Sequence, residues 1–300
     1  MKLKSTLILI SIQLIFNTVY AENLSANECN KLLTNGDSSG ALRYANKMLS
    51  KNSADREAML CQGRAYYANG DYQAAVKAFE LAEKNTKDGL DIAVAMFMQA
   101  NAYKGMQQKD MALANYQRAL KQAQSIGNSG LQRLAYKAIG DIAIDDQQFS
   151  AALDWYLLAF KLAANDNERG ESAENVALAY HELNQHGLAL EFQIKAYLLH
   201  GRVGTLDQYA NSSIVLGSYY AADKNYGAAE KTLTKIITFA KEQGGIYYEA
   251  KATYVLALVK VAAGDKKAAQ DLLAQAVSLA KSANDKALEL EIAAQAQGLI

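Results

Sequence analysis

Three residues of this chain have the types that a zinc site needs, namely His181, Glu182 and His186. In the helix of a zinc protease, two histidines lie four residues apart on the same face and bind the metal together. Here the spacing is five residues, which turns the second histidine by about 140° around a helix of about 3.6 residues per turn. His200 is the only other histidine. We therefore expect structural or surface histidines and no metal site.

No other group of residues indicates catalysis. The chain has no glycine-rich phosphate loop following a strand, and no cysteine at a recognisable spacing from a histidine. Its paired carboxylates, such as Asp145 and Asp146, fit turns and helix surfaces. We therefore predict a protein that is not an enzyme, without catalytic residues and without a cofactor.

The elements that carry these residues repeat along the chain. A twenty-residue pattern of small and aromatic residues occurs seven times, starting at residues 29, 63, 100, 140, 177, 217 and 257. Such a period is typical of stacked supersecondary units, each of which buries its apolar face against its neighbours. The 300 residues include no proline, which indicates helices throughout. Short turns such as Asn69-Gly70-Asp71 predict antiparallel helical hairpins.

The copy that starts at Gly63, GRAYYANGDYQAAVKAFELA, resembles the tetratricopeptide repeat in its Gly-x-x-Tyr, Gly-Asp-Tyr, Ala and Phe-x-x-Ala signature. The resemblance covers residues 22–300. It implies an all-α, right-handed solenoid of about seven antiparallel helix pairs, with a capping helix near residues 286–297. The usual unit of this family has about 34 residues, and every copy after the first is three or six positions longer. Such longer units resemble those of bacterial sensor and regulator proteins, so we expect a role in envelope signalling or assembly.

The resemblance also implies where a partner binds, because the first helix of each pair lines an inner groove in this family. Side chains three and four residues apart would face that groove. We expect the partner-binding residues to be Leu60, Arg64, Tyr67, Phe97, Asn101, Lys104, Ile214, Ala221, Tyr254, Leu258 and Val261. The same positions of other copies are Lys137, Asp141, Ile144, Glu174, Leu178, His181 and Ser218.

The last part of this groove is the most apolar. Ile214, Ala221, Tyr254, Leu258 and Val261 would form an apolar strip too large to leave in water, so we expect binding to concentrate there. Alternatively, the protein covers the strip itself, with residues 286–297 or by forming a homodimer.

Residues 1–21 have the pattern of a secretory signal peptide. Lys2 and Lys4 precede an apolar run from Leu7 to Phe16, and Ala21 ends a segment suited to cleavage. The run is shorter than the roughly 20 residues of a membrane-spanning helix. We therefore expect cleavage after Ala21, a periplasmic or secreted protein, and no membrane insertion after cleavage.

The chain has two cysteines, on neighbouring predicted first helices. Cys29 begins the first copy of the pattern, and Cys61 lies two residues before the second copy. In an exported protein they could form a disulfide that closes the loop between them. Against this, Cys61 is two places out of register with Cys29, which turns it by about 200° around its helix. The sequence leaves two alternatives open, a disulfide and two buried free thiols.

Charge excludes one class of partner. Without residues 1–21 the chain carries 29 basic and 31 acidic side chains, interspersed along every copy. Nucleic-acid binding needs clustered lysine and arginine, so no nucleic-acid partner is expected. We predict a non-enzymatic scaffold or adaptor of the bacterial periplasm that binds a protein or peptide along its concave groove. The alternative is an input module of an envelope signalling system that senses a ligand or peptide.

Overall fold

The computed structural model describes residues 28–299, with side chains up to residue 294. The predicted signal peptide, residues 1–21, lies outside the described residues. Within the described range the chain forms fifteen α-helices and no strand. They are α1 Glu28–Thr34, α2 Ser38–Lys51, α3 Arg56–Ala68, α4 Tyr72–Lys84, α5 Gly89–Gly105, α6 Lys109–Ser125, α7 Ser129–Asp145, α8 Phe149–Lys161, α9 Asp166–Glu182, α10 His186–Val203, α11 Leu206–Ala222, α12 Tyr226–Glu242, α13 Ile246–Ala262, α14 Lys266–Ser282 and α15 Lys286–Leu299.

The helices form two compact units, one up to Leu162 and one from Ala163. Unit 1 contains α1 to α8 and unit 2 contains α9 to α15. Within each unit, every helix packs against its successor, and first helices of successive hairpins also touch, as α5 does with α7. The prediction of an all-α repeat solenoid, with seven helix pairs followed by a single helix, is confirmed over the described residues.

Each hairpin turn ends its first helix with a residue in the left-handed backbone region. Glycine is the usual residue there because it has no Cβ. Ten turns between successive described helices contain such a residue. Five of them are glycines, for example Gly70 with φ of 78°, and the other five are Gln107, Gln147, Asn184, Lys224 and Asn284.

Glycine at the start of the twenty-residue pattern has a different purpose. A Cβ on Gly140 would lie 2.5 Å from the ring of Tyr156, and a Cβ on Gly217 would lie 2.5 Å from Cγ of Leu233. Such distances are far below van der Waals contact. Glycine therefore lets a large side chain of the second helix lie directly on the backbone of the first.

The two ends of the described chain are closed differently. At the amino-terminal end, Cys29 of α1 and Cys61 of α3 form a disulfide, with their Cα atoms 6.0 Å apart. The register argument against this bond assumed a regular first repeat, but α1 has only seven residues and need not follow the repeat. At the carboxyl-terminal end, Leu288 and Ile292 of α15 are buried in a cluster with Tyr254.

Among the described residues, no helix combines the length and apolar character that crossing a bilayer would require.

Candidate functional site

The predicted groove residues fall into classes according to their position in the repeat. The second position of the twenty-residue pattern forms a first row, and the fifth position forms a second row. All twelve side chains in these rows are half-buried. The first row is Arg64, Asn101, Asp141, Leu178, Ser218 and Leu258. The second row is Tyr67, Lys104, Ile144, His181, Ala221 and Val261.

A third position, three residues before the pattern starts, does not contribute an accessible surface when it is apolar. Leu60, Phe97, Ile214 and Tyr254 occupy it, and all four are buried, with 9% or less of each residue exposed. In the folded chain these four residues, which the sequence led us to expect in contact with a partner, are covered by neighbouring helices. The physical reason is that this side of the helix faces the core, where Phe97, for example, packs on Tyr116 with ring centroids 5.3 Å apart.

The apolar strip predicted in unit 2 is therefore only partly accessible. Tyr254 shares a buried cluster with Leu288 and Ile292 of α15, and Leu258 packs against this cluster. Ile214 shares another cluster with Ile236 of α12. Of the five strip residues, the folded chain buries Ile214 and Tyr254, whereas Ala221, Leu258 and Val261 are half-buried.

In unit 1 the first row is polar, and two of its side chains accept hydrogen bonds from buried tyrosines. The hydroxyl of Tyr116 donates to Oδ1 of Asn101 at 2.6 Å, and the hydroxyl of Tyr156 donates to Oδ1 of Asp141 at 2.9 Å. Burial raises the pKa of both tyrosines well above its usual value. Both hydroxyls thus keep their protons and hold the amide and the carboxylate in one orientation.

Two lysines face the carboxylate of Asp141. Nζ of Lys137 donates to Oδ2 of Asp141 at 2.9 Å, and Nζ of Lys104 lies 3.7 Å from the same oxygen. Burial alone would raise the pKa of Asp141, but the two lysine charges and the hydrogen bonds from Lys137 and Tyr156 outweigh it and lower that pKa. Asp141 is therefore ionised near neutral pH, and the three groups carry a local net charge of about +1.

The start of the row is also ordered. Arg64 donates to the side-chain oxygen of Asn30 in α1, and the ring centroids of Tyr67 and Tyr72 are 5.3 Å apart. Burial, helped by Tyr72, raises the pKa of Tyr67 to about 12. Tyr67 thus presents a neutral hydroxyl, which can both donate and accept a hydrogen bond.

The histidines come closer together than their spacing suggested. His181 lies in the last turn of α9 and His186 begins α10, so the turn between the helices brings their ring centroids to 5.4 Å. His181 stacks on Tyr219 at 4.5 Å, and burial lowers its pKa. His200 is buried, with Nε2 3.5 Å from Oε1 of Glu174. Over the described part of the chain, no three histidine, cysteine or acidic side chains are placed to hold a metal ion.

One motif escaped the sequence reasoning. Residues 36–40 read Gly-Asp-Ser-Ser-Gly, which has the letters of the nucleophile turn of serine hydrolases. That turn requires a strand before it and a helix after it, whereas here helices α1 and α2 lie on either side. Ser38 donates to the side chain of Asn69, and Asp37 accepts from the backbone N–H of Gly40 as the cap of α2. The segment is a helix cap and not a catalytic site.

Comparison with known proteins identifies the repeat. Two sequence models described as tetratricopeptide repeat match the chain, one over residues 30–89 and one over residues 93–125. No curated protein matches it significantly.

Solved structures share the fold. The apo form of RapI is 17% identical with a TM-score of 0.63, and the match covers 82% of this chain and 98% of that one. A Rap protein complexed with competence and sporulation factor is 15% identical with a TM-score of 0.59, covering 100% and 88%. The APC/C hetero-tetramer Cut9–Hcn1 is 14% identical with a TM-score of 0.62, covering 96% and 52%. At these identities the likeness extends to the fold alone.

Proposed function

The chain is a tetratricopeptide-repeat protein, and on that premise we propose that it is a non-enzymatic scaffold that binds a protein segment or peptide along the two rows of unit 1. The observation that carries the proposal is the set of half-buried polar side chains held in fixed orientations there, above all Asn101 and Asp141. Preorganised polar groups lower the entropy that binding costs.

The chemistry of these groups suits a peptide. Oδ1 of Asn101 already accepts from Tyr116, whereas among the described residues its amide nitrogen donates only to the weak acceptor Sδ of Met98, at 3.7 Å. That N–H group can donate to a carbonyl of an extended backbone. Lys104 and Lys137 outnumber the carboxylate of Asp141, so the local charge favours a segment that carries an acidic group.

Two of the structural neighbours support a binding role, since one is a Rap protein complexed with competence and sporulation factor and another is the hetero-tetramer Cut9–Hcn1. We carry over only the general kind of ligand, a peptide or another protein, and neither of those named partners.

We propose the bacterial periplasm as the location. Residues 1–21 have the pattern of a signal peptide, and disulfides such as Cys29–Cys61 persist mainly in oxidising compartments. Amino-terminal sequencing of the protein from its own cells tests this, because a chain that begins at Met1 would contradict export.

Site-specific photo-crosslinking tests the binding surface. The photoreactive residue p-benzoylphenylalanine replaces Lys104 in the second row of unit 1, Leu258 in the first row of unit 2, or Lys121, an exposed residue of α6 that serves as the control. In envelope extracts we expect a discrete adduct from position 104 and none from position 121. Adducts from position 258 alone, equal adducts from position 121, or none at all would contradict the proposal.

A further inference from the structure

Unit 2 contains a cavity that the proposed function does not use. Its volume is about 390 Å³, and its lining residues come from α10, α11 and α12. Helices α10 and α12 both pack against α11, so the cavity opens between two second helices of successive hairpins. No side chain of the first or second row lines it. It is therefore a separate site, of a size common among small-molecule pockets.

The apolar side chains of the cavity are buried at its base and exposed at its rim. Leu216 of α11 and Ile236 of α12 are buried, with 3% and 1% of each residue exposed, whereas Leu198 of α10 is 61% exposed. All three line the cavity. An apolar body inserted here would remove the side chain of Leu198 from water, which is favourable.

The polar part of the cavity is basic. Nζ of Lys235 donates to the hydroxyl of Tyr197 at 3.0 Å, and Lys231 lies one turn earlier on α12. The hydrogen bond to Tyr197 raises the pKa of Lys235, so its ammonium group stays charged near neutral pH. The described lining residues include both lysines and no carboxylate. An anionic group would therefore be attracted to this side of the cavity.

The next junction along the chain does not have this charge. The copies that start at residues 177, 217 and 257 follow one another at equal intervals, so each lining residue has a counterpart at the same place in the following copy. The counterpart of Lys231 is Asp271, and that of Lys235 is Gln275. The next junction thus lacks both positive charges and gains a negative one.

A size difference between two copies accounts for the open space. Thr232 lines the cavity, and its counterpart in the following copy is Leu272. Leu272 packs against a buried cluster that includes Leu256 and Val259. Because threonine is smaller than leucine, the equivalent space around Thr232 is left unfilled.

We propose that this cavity binds a small organic acid, with its apolar body between Leu198, Leu216 and Ile236 and its carboxylate against the ammonium groups of Lys231 and Lys235. This site involves other helices than the peptide surface of unit 1, so either can exist without the other.

Calorimetric titration of the purified chain with a matched pair of probes tests the proposal. The acid is 4-phenylbutyrate, and the uncharged analogue is 4-phenylbutan-1-ol. We expect the acid to bind at least tenfold more tightly than the alcohol. Equal affinities, or no binding of either probe at millimolar concentration, would overturn the proposal.

Two variants assign the binding to the cavity. Lys231→Gln with Lys235→Gln should remove the advantage of the acid and leave the affinity for the alcohol unchanged. Thr232→Leu should abolish binding of both probes, and a leucine is already accommodated at the equivalent position 272.

The control is Lys266→Gln with Lys267→Gln, which removes two exposed lysines from the start of α14 and should change neither affinity. If this control weakens acid binding as much as the cavity pair does, the effect is one of overall charge and the site is wrong. Unchanged acid binding in Thr232→Leu would place the acid elsewhere and would equally overturn the proposal.

Discussion

Units 1 and 2 use the same two repeat positions in opposite ways. In two copies of unit 1 the second and seventeenth positions of the pattern hold hydrogen-bonded pairs, Asn101 with Tyr116 and Asp141 with Tyr156. In unit 2 the counterparts are Leu178 with Gln193, Ser218 with Leu233, and Leu258 with Leu273.

The difference shows that the same two positions of the repeat can carry either hydrogen-bonded polar pairs or mainly apolar pairs without a change in the helical hairpin. The one long polar residue at the seventeenth position in unit 2, Gln193, directs its amide inward and donates to the carbonyl and hydroxyl oxygens of Ser212, both at 3.0 Å. In unit 1 the polar groups of Asn101 and Asp141 lie in the first row, whereas in unit 2 the amide of Gln193 is buried. We therefore assign peptide binding to unit 1.

The largest effect expected from this comparison is structural and falls on unit 2. Tyr254→Ala removes a side chain buried against Leu288 and Ile292, and replacing a buried aromatic residue with alanine costs about 3 to 5 kcal/mol of stability. Thermal denaturation and hydrogen exchange of α13 to α15 measure this loss.

In unit 1, Tyr67→Ala should cost less stability, because Tyr67 is half-buried, and should weaken partner binding. Lost binding with normal stability in Tyr254→Ala would reverse the assignment of the units.

The second effect is the loss of stability on reduction of the disulfide, which should differ between the two ends of the described chain. A disulfide that closes a loop of this length, between Cys29 and Cys61, stabilises by about 3 to 4 kcal/mol in the loop-entropy account. Reduction should therefore speed hydrogen exchange in α1 to α3 and leave α13 to α15 unchanged. The control is Cys29→Ala with Cys61→Ala, which should show fast exchange with or without reductant. Equal acceleration at both ends would mean that the disulfide stabilises more than its own end.

The third effect compares glycines. Gly140→Ala forces a methyl group to 2.5 Å from the Tyr156 ring, and overpacking of this kind costs about 1 to 3 kcal/mol. Gly217→Ala meets the flexible side chain of Leu233 at the same distance, so it should cost less. Gly227→Ala meets nothing within 4 Å and should stabilise α12 by up to about 1 kcal/mol. Melting temperatures in any other order would show that the aromatic contact does not set the requirement for glycine.

The smallest effect concerns pH. The pKa of Asp141 is lowered in the folded chain, so its interactions with Lys104 and Lys137 stabilise the fold above the pKa of an unfolded aspartate, about 3.9. They are lost as the pH falls through the lowered pKa. The side chain is 27% exposed, so we expect less than about 1 kcal/mol. The stability difference between wild type and Asp141→Asn should shrink between pH 7 and pH 2; a constant difference would exclude a contribution from ionisation.

Much of the fold could be predicted from spacing alone. The seven copies of the twenty-residue pattern and the absence of proline are enough to place helical hairpins, because each hairpin satisfies its own backbone hydrogen bonds. The two half-buried rows followed from the same spacing. The burial of the third position could not be predicted, since an apolar residue such as Phe97 or Ile214 fits a groove and a core equally well. Only the packing of neighbouring helices decides between them.

The cavity could not have been found in this way. Its lining comes from three helices, and its volume depends on Thr232 being smaller than its counterpart Leu272. The spacing of the repeat indicates which residues are equivalent, but it does not indicate whether a difference in side-chain size leaves a cavity between the helices. The tyrosine hydrogen bonds to Asn101 and Asp141 were missed for a similar reason, because they join residues 15 positions apart on different helices.

The left-handed turns have a consequence for how such a protein changes over generations. At Gln107, Gln147, Asn184, Lys224 and Asn284 a side chain occupies a conformation that suits glycine better, at a cost of roughly 1 to 2 kcal/mol for an ordinary side chain and less for asparagine. The chain is therefore less heat-resistant than its backbone allows. A lineage exposed to warmer surroundings has five separate replacements by glycine available, and none of these positions belongs to the rows or lines the cavity. Thermal tolerance and ligand preference can thus diverge independently among its descendants.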